Sequence, residues 1–422
     1  MKIVENTRRK AISSKLSKIN APELNLTHDL IMAGRLGITE CAERLGMHLI
    51  RELLENDRVR LCGKPNERDL NSHLARWGYK ESSCYLGGGK VHVDRPRIRD
   101  LDKKREIELP LWERLQDPSY FNEEVFKNMI HGVSTRDYKA TLDQTIKRLG
   151  ISKSKVDRAF ISKAMKHWQE FQTRDLSGID AWAILIDGIY FGQTSVGICA
   201  MAYDPQGNKH PLGFWEGSTE SSENVMALFR DIEARGFKIN SEHLFILDGG
   251  GGVIKAVENR IGKEIVLIQR CFVHKLRNLL QYLPKNQHWK ATYMLHLIRD
   301  AVTVADAKDH LRKMLLWLKD INVSAYNSLN EAAPYLTTVQ RLNIPKELRK
   351  SVQSTNCIES MFSIGPRKVF RNVKRWRNSM QRQRYLAIGL MEAQRRFRKL
   401  RGYQTINGWL AQRSVDQNRK VG

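Results

Sequence analysis

Cysteine is scarce and scattered in this chain: Cys41, Cys62, Cys84, Cys199, Cys271 and Cys357 make six in 422 residues, with no Cys-x-x-Cys pair. That spacing excludes a disulfide framework and a four-cysteine zinc module, and it implies a reducing compartment, cytoplasm or nucleus. Long apolar runs are missing as well. None approaches the ~20 residues of a membrane-spanning helix, and the polar, charged N-terminus does not read as a secretory signal. No internal repeat, low-complexity tract or heptad pattern stands out. Acidic charge is in short supply: 46 Asp and Glu face 71 Lys and Arg, a net +25. An excess of one sign opposes folding by self-repulsion, and a polyanionic partner relieves it. Nucleic acid is therefore the expected partner, ahead of a membrane surface. The remaining composition is that of an ordinary globular protein, and the length allows two to four domains of roughly 100–200 residues.

The N-terminal region, residues 1–110, is mixed. Thr39 can cap a helix over residues 41–54, with Ala42, Leu45, Leu49 and Leu53 or Leu54 on its apolar face. Gly87-Gly88-Gly89 leads into an alternating strand, Lys90-Val91-His92-Val93-Asp94, followed by Arg95, Arg97 and Arg99 at every second position. These arginines form either a solvated edge that discourages aggregation or a contact to a phosphate backbone. Residues 111–176 read as helical from about 120 onward. Ser134-Thr135-Arg136-Asp137 has a capping pattern, and Tyr138, Leu142, Ile146 and Leu149 follow at helical period. After Gly150, Ser152 can cap a second helix carrying Lys153, Lys155, Arg158, Lys163 and Lys166. Helix, glycine turn and basic helix outline a DNA-reading helix-turn-helix, although any helical hairpin has that outline.

From residue 177 the pattern changes to α/β. The unbroken apolar run 181–186 suits a strand buried on both faces. Strand-like segments at 195–203 and 210–216, a helix over 222–235, a strand at 244–247, a further helix and a strand at 265–268 complete a mixed sheet flanked by helices. Strand formers then vanish, and residues 271–350 read as amphipathic helices. Between Gly365 and Gly402 thirteen basic residues, among them Arg367, Lys368, Arg371, Lys374, Arg375 and Arg377, meet a single acid, Glu392. So lopsided a stretch is expected to touch DNA, with Trp376 placed to lie against a sugar or base.

Asp187 and Asp248 each end a predicted buried strand, at the rim where open α/β sheets place ligands. If those strands are neighbours, the two carboxylates converge. With a third carboxylate they would suit hard cations such as Mg²⁺ or Mn²⁺, and two ions about 4 Å apart can drive in-line displacement at phosphorus. Each aspartate precedes a glycine, so each could equally form a turn. Glu359 could serve a helix-capping arrangement. The run Gly249–252 could cradle a phosphate, but it lacks the lysine of a P-loop.

Several phrases occur together and in order: Ile186-Asp187-Gly188, Leu247-Asp248-Gly249, the segment 269–278 with Cys271 and His274, and Ser354-Thr355-Asn356-Cys357-Ile358-Glu359-Ser360. With these, residues 180–402 resemble the catalytic domain of the Mutator-type transposases, in particular their bacterial insertion-sequence branch. Residues 78–100 and Gly132-Val133-Ser134-Thr135-Arg136 resemble that family's upstream segments. The resemblance implies a ribonuclease H-like core split into 177–270 and 351–402 around an all-helical insertion, 271–350, with a tail at 403–422. It also implies an Asp-Asp-Glu triad of Asp187, Asp248 and Glu359 holding two Mg²⁺ or Mn²⁺ ions. Its activity would be cleavage at terminal inverted repeats of double-stranded DNA and strand transfer to target DNA, by a homodimer or larger assembly at the bacterial nucleoid. Cys271 and His274 match the family's Cys-x-x-His element. Two ligands do not close a zinc site, so a structural role or one near the DNA end is expected. His274 as a general base is not required when metal ions generate the nucleophile.

Overall fold

The computed structural model describes residues 38–67, 72–86, 88–141, 148–149, 151–371 and 373–421. The chain forms two compact units, one up to Lys163 and one from Ala164 onward.

In the first unit, α1 (Ile38–Cys62) precedes a long hairpin of β1 (Leu74–Leu86) and β2 (Gly89–Asp100). The helix is longer than the apolar pattern predicts, and it buries Ile50 and Leu54 while Leu49 and Leu53 stay exposed. β3 (Arg105–Ile107) pairs with the far end of β2. Two short helices follow, α2 (Pro110–Leu115) and α3 (Ser119–Ile130). The core joins Ile50 and Leu54 to Val91, Val93, Ile98 and Trp112. Arg95 belongs to this core rather than to a DNA-facing edge. It is 8% exposed, lies over Trp112, and its guanidinium contacts Glu106 at 2.6 Å and Glu108 at 3.1 Å. Arg97 also pairs with Glu106, at 2.8 Å. Acids that follow β2 thus pair with two of the three arginines, while Arg99 lies over Trp77.

The helix expected over 138–149 is not seen among the described residues. Tyr138–Thr141 is a single 3-10 turn, and β4 (Arg148–Leu149) pairs with β2 at Lys90 and Val91. Leu142 and Ile146 lie outside the described residues. Tertiary burial overrides the local period here: Tyr138 is fully buried, edge-on to Phe121, and its hydroxyl donates to the Gly88 carbonyl at 3.2 Å. Of the expected helix-turn-helix, the described residues contain the second helix, α4 (Lys153–Thr173), along which the chain enters the second unit.

The second unit is built on β5 (Ala183–Tyr190), β6 (Val196–Tyr203) and β7 (Lys209–Gly217), then α5 (Ser222–Ala234), β8 (Leu244–Leu247), α6 (Gly251–Ile261) and β9 (Leu267–Arg270). The sheet order is β7-β6-β5-β8-β9. β5, β6 and β7 are antiparallel neighbours, and β8 and β9 are added in parallel. Period-two alternation divides the core. Ile184, Ile186, Phe245 and Leu247 face a layer with Leu228, Phe229 and Val257, from α5 and α6. Leu185, Ile189, Leu244 and Ile246 face the opposite layer, with Ile358, Phe362, Leu386 and Leu390.

A helical insertion follows β9: α7 (Phe272–Tyr282), α8 (His288–Asp300), α9 (Val304–Ile321), α10 (Val323–Leu336) and the short α11 (Thr338–Arg341). Its apolar faces pack mainly on one another, through Leu279, Leu295, Leu311, Met314, Leu318 and Leu329. Polar contacts tie it to the sheet. Thr338 donates to the Ile268 carbonyl at 2.6 Å, and the Gln269 side chain bridges the Leu336 carbonyl and the Val339 amide. The chain then returns through α12 (Lys346–Val352), α13 (Asn356–Ile364), α14 (Pro366–Phe370), α15 (Ser379–Arg395) and α16 (Ile406–Val421). Among the described residues no helix is long and apolar enough to cross a membrane.

Candidate active site

Ile186 pairs with Leu247 on adjacent parallel strands, so the next residues, Asp187 and Asp248, stand at matching positions along the sheet. Asp187 continues the phase of Leu185, and Asp248 that of Leu244 and Ile246. Asp187 therefore points towards the layer that contains α13, and the charge of Asp248 acts on both Asp187 and His274. Asp187 does not end its strand: β5 runs on to Tyr190, and Asp187 pairs with Cys199 of β6. The Asp187-Gly188 pair is strand, not turn. Asp248 does leave β8, and its carboxylate accepts the Gly250 amide at 3.0 Å.

Glu359 lies on the first turn of α13, which packs against β5. The capping arrangement expected over Asn356-Cys357-Ile358-Glu359 does not form: Asn356 is already the first helical residue, and Thr355 before it makes no side-chain cap. Thr355 instead turns to Cys271. Its amide and hydroxyl lie 3.3 and 3.5 Å from the Cys271 sulfur, and the hydroxyl oxygen is 3.2 Å from His274 Nδ1. The other ring nitrogen of His274 is 3.5 Å from Glu359 Oε1. Cys271, His274 and Glu359 are thereby joined, although 85 residues separate the last two.

Glu220 is a member of this neighbourhood that no motif announced. It sits just before α5, and the Tyr190 hydroxyl donates to its carboxylate at 3.1 Å. The glycines around the aspartates make room for it. A side chain at Gly188 would overlap the Glu220 carboxylate, and one at Gly252 would overlap the Glu220 carbonyl oxygen. Gly249 has φ +109° and lies against the Arg270 guanidinium. These close approaches account for two of the four glycines after Asp248, Gly249 and Gly252. The only advance sign of Glu220 was an acid between a strand and a helix.

The charges in this cluster oppose one another. Burial, then the negative charge of Asp248, push Asp187 up to about 8, despite the Gly188 amide and His274. Burial and Asp248 likewise raise Glu220. The hydrogen bond with Cys271 raises His274 to about 9, ahead of the opposing effect of burial. Burial would raise the Cys271 thiol, but its hydrogen bonds from His274 and Thr355 outweigh that and lower it. Among the described residues no three His, Cys, Asp or Glu side chains are gathered closely enough to enclose a metal ion.

A model of the transposases of the Mutator family matches residues 29–399. The chain belongs to the Mutator transposase family. It is 31% identical over 191 residues to the transposase for insertion sequence element IS6120 of Mycolicibacterium smegmatis, covering 42% of this chain and 56% of that one. It is 26% identical over 250 residues to the transposase for IS256 in transposon Tn4001 of Staphylococcus aureus, covering 56% and 60%. It is 26% identical over 336 residues to the transposase for IS1201 of Lactobacillus helveticus, covering 76% and 86%. The matched region thus spans little more than half the length of the first two relatives.

In this Mutator-family chain the basic residues are not equally free. On α4, Lys153 pairs with Asp157 at 3.5 Å, Lys155 lies over Tyr85 and Phe121, and Arg158 is exposed. Arg367, Lys368, Arg371, Lys374, Arg375 and Arg377 are all exposed. Trp376 between them is half-buried. It packs edge-on against Phe191, Phe370 and Tyr385, with ring centroids 5.1–5.7 Å apart. The ring anchors the segment and leaves its flanking arginines outward.

Proposed function

We propose that this Mutator-family chain is a DNA transposase whose Asp187, Asp248 and Glu359 hold divalent metal above a ribonuclease H-like core. One observation carries the reading. Asp187 on β5 and Asp248 just past the end of the parallel neighbour β8 stand side by side, and His274 links their charges to Glu359 on the layer packed against β5. The strand order, three antiparallel strands extended by two parallel ones, supports the ribonuclease H-like assignment. So does the helical excursion between Asp248 and Glu359.

The donor set suits the metal in kind: three carboxylates, whose oxygens hard cations prefer, with Asp187 raised first by burial and then by the charge of Asp248. When bound there, two Mg²⁺ or Mn²⁺ ions would supply activation of the attacking oxygen and stabilisation of the leaving one. The protein supplies orientation. Asp187 and Asp248 are held by the sheet, and Glu359 by a helix packed on it. The exposed basic residues of 367–377 and α4 would bind DNA phosphates. Hydrolysis of one strand at the terminal inverted repeats would expose a 3′-hydroxyl, and that hydroxyl would attack a phosphodiester of the target. Joining two ends calls for a homodimer or larger assembly. The setting would be the bacterial cytoplasm, at the nucleoid.

The test is a labelled element-end duplex incubated with Mg²⁺ or Mn²⁺ and the protein, beside Asp187→Ala, Asp248→Ala and Glu359→Gln. The parent should cut and join while each variant binds ends without cutting. Variants that cleave like the parent refute the triad. A parent that binds ends and never cuts would instead indicate a DNA-binding regulator.

A further inference from the structure

We propose that Cys271, Thr355 and His274 form a latch that orients Glu359, which makes the Cys-x-x-His element a positioning device for the third carboxylate. The inference rests on the reading of Glu359 as that carboxylate. It deepens that reading by assigning a role to a motif that the cleavage chemistry leaves unused.

Two backbone bonds hold the latch in place. The Cys271 amide donates to the Leu247 carbonyl at 2.8 Å, beside Asp248, and the Phe272 amide donates to the Gln353 carbonyl at 3.0 Å, just ahead of α13. The start of α7 is thus fastened both to the strand end that bears one carboxylate and to the approach to the helix that bears another. Cys271 and Thr355 are both fully buried, so their polar atoms depend on each other.

Proton supply then sets the direction of the chain. A threonine hydroxyl has one proton to donate. Thr355 directs it, together with its amide, at the Cys271 sulfur. Its oxygen lies 3.2 Å from His274 Nδ1, whose proton it shares with the Cys271 sulfur. That bond holds the imidazole plane and leaves Nε2 facing Glu359 Oε1 at 3.5 Å. The three-residue spacing from Cys271 to His274 puts both on one side of the first turn of α7. The cost is visible at α13, whose N-terminus forgoes the side-chain cap that a threonine normally provides. A zinc role fits poorly, because the sulfur and Nδ1 are already engaged with Thr355.

The experiment uses the full-length protein and the labelled end duplex. It measures single-turnover cleavage, end affinity and, without DNA, Mn²⁺ binding by electron paramagnetic resonance. Thr355→Val keeps the shape and removes the hydroxyl; Thr355→Ser keeps the hydroxyl. His274→Ala and Thr355→Val should each lower the cleavage rate and Mn²⁺ affinity by roughly 10–100-fold, as outer-shell changes do, with end affinity unchanged. Thr355→Ser should restore most of the loss. The double variant should be no slower than the slower single, since both act through one contact. Cleavage by Thr355→Val at the parent rate overturns the latch, as does failure of the serine to rescue or multiplication of the two losses. If His274→Ala does not fold, the valine and serine pair decides. Glu359→Gln separates the two levels: cleavage by this variant refutes the triad and the latch with it. An inactive Glu359→Gln beside a fully active Thr355→Val refutes the latch alone.

Discussion

At Gly252 an added methyl group would overlap the Glu220 carbonyl oxygen and stand 3.0 Å from the Ser222 amide nitrogen. Backbone atoms cannot swing aside as a flexible side chain can. Gly252→Ala should therefore cost about 1–3 kcal/mol, the usual range for overpacking, seen as a lower denaturation midpoint with an unchanged slope. Gly251, where a side chain meets nothing within 4 Å, is the control, and its alanine variant should be neutral or slightly stabilising. Asp187 is destabilising for a different reason. Burial and Asp248 raise it from 3.8 to about 8. A raised acid binds a proton in the folded chain over the range where the unfolded chain has released it, so metal-free stability falls as pH rises between those two values. Asp187→Asn should accordingly melt several degrees higher than the parent at pH 8 without divalent ions, with the gap closing towards pH 4. Mn²⁺ should raise the melting temperature of the parent and not of the variant. A variant that melts lower at pH 8 would contradict this. The chemistry of Asp187 was legible in the sequence. The role of Glu220 was not, because an acid in a loop carries no period or spacing that reveals its neighbours.

Among the elements, the loop between β6 and β7 shows how local pattern and packing divide the work. Asp204-Pro205-Gln206-Gly207-Asn208 reads as a turn from its residue types, and so it is. Only the fold adds His210, whose Nε2 lies 2.8 Å from the Asp204 carboxylate, beside the Asn208 amide at 2.7 Å. Burial would raise Asp204, but the bonds from His210 and Asn208 prevail and lower it. A lowered acid stabilises above its unfolded value and loses that contribution as pH falls through its folded one. Asp204→Asn should thus lose about 1–3 kcal/mol at neutral pH, and urea melts should find the difference vanishing in acid. The helix expected over 138–149, not seen among the described residues, is the counterexample. Its apolar spacing was helical, yet Tyr138 turned inward to Gly88 and Arg148–Leu149 joined β2. Likewise β5 continued past Asp187 because β6 pairs with it as far as Tyr190, a partner that no single-strand pattern displays.

For the whole molecule, the net charge of +25 predicts DNA binding that weakens linearly with the logarithm of salt concentration. Combined replacement of Lys374, Arg375 and Arg377 by alanine should flatten that slope by about 0.9 for each phosphate left without its basic partner. Arg95→Ala should leave the slope unchanged and lower stability, because Glu106 and Glu108 would lose their buried partner. If the slope responds to Arg95 and not to the 374–377 cluster, the division into outward and internal arginines is wrong. The two kinds of arginine are indistinguishable in composition.

By itself the sequence determined the charge excess that a polyanionic partner would relieve, the mixed sheet from residue 181 onward, the helical character of 271–350 and the candidate carboxylates. Those follow from charge balance, from period two or 3.6, and from residue chemistry, all of which are local or additive. Tertiary structure alone decided which strands are neighbours, which arginines are neutralised, where the Trp376 ring goes and what Cys271 and His274 touch. Each of these depends on contacts between distant segments, as when the Thr355 hydroxyl meets a sulfur 84 residues earlier in the chain. No local pattern records such a meeting, because only the packed core brings the two together.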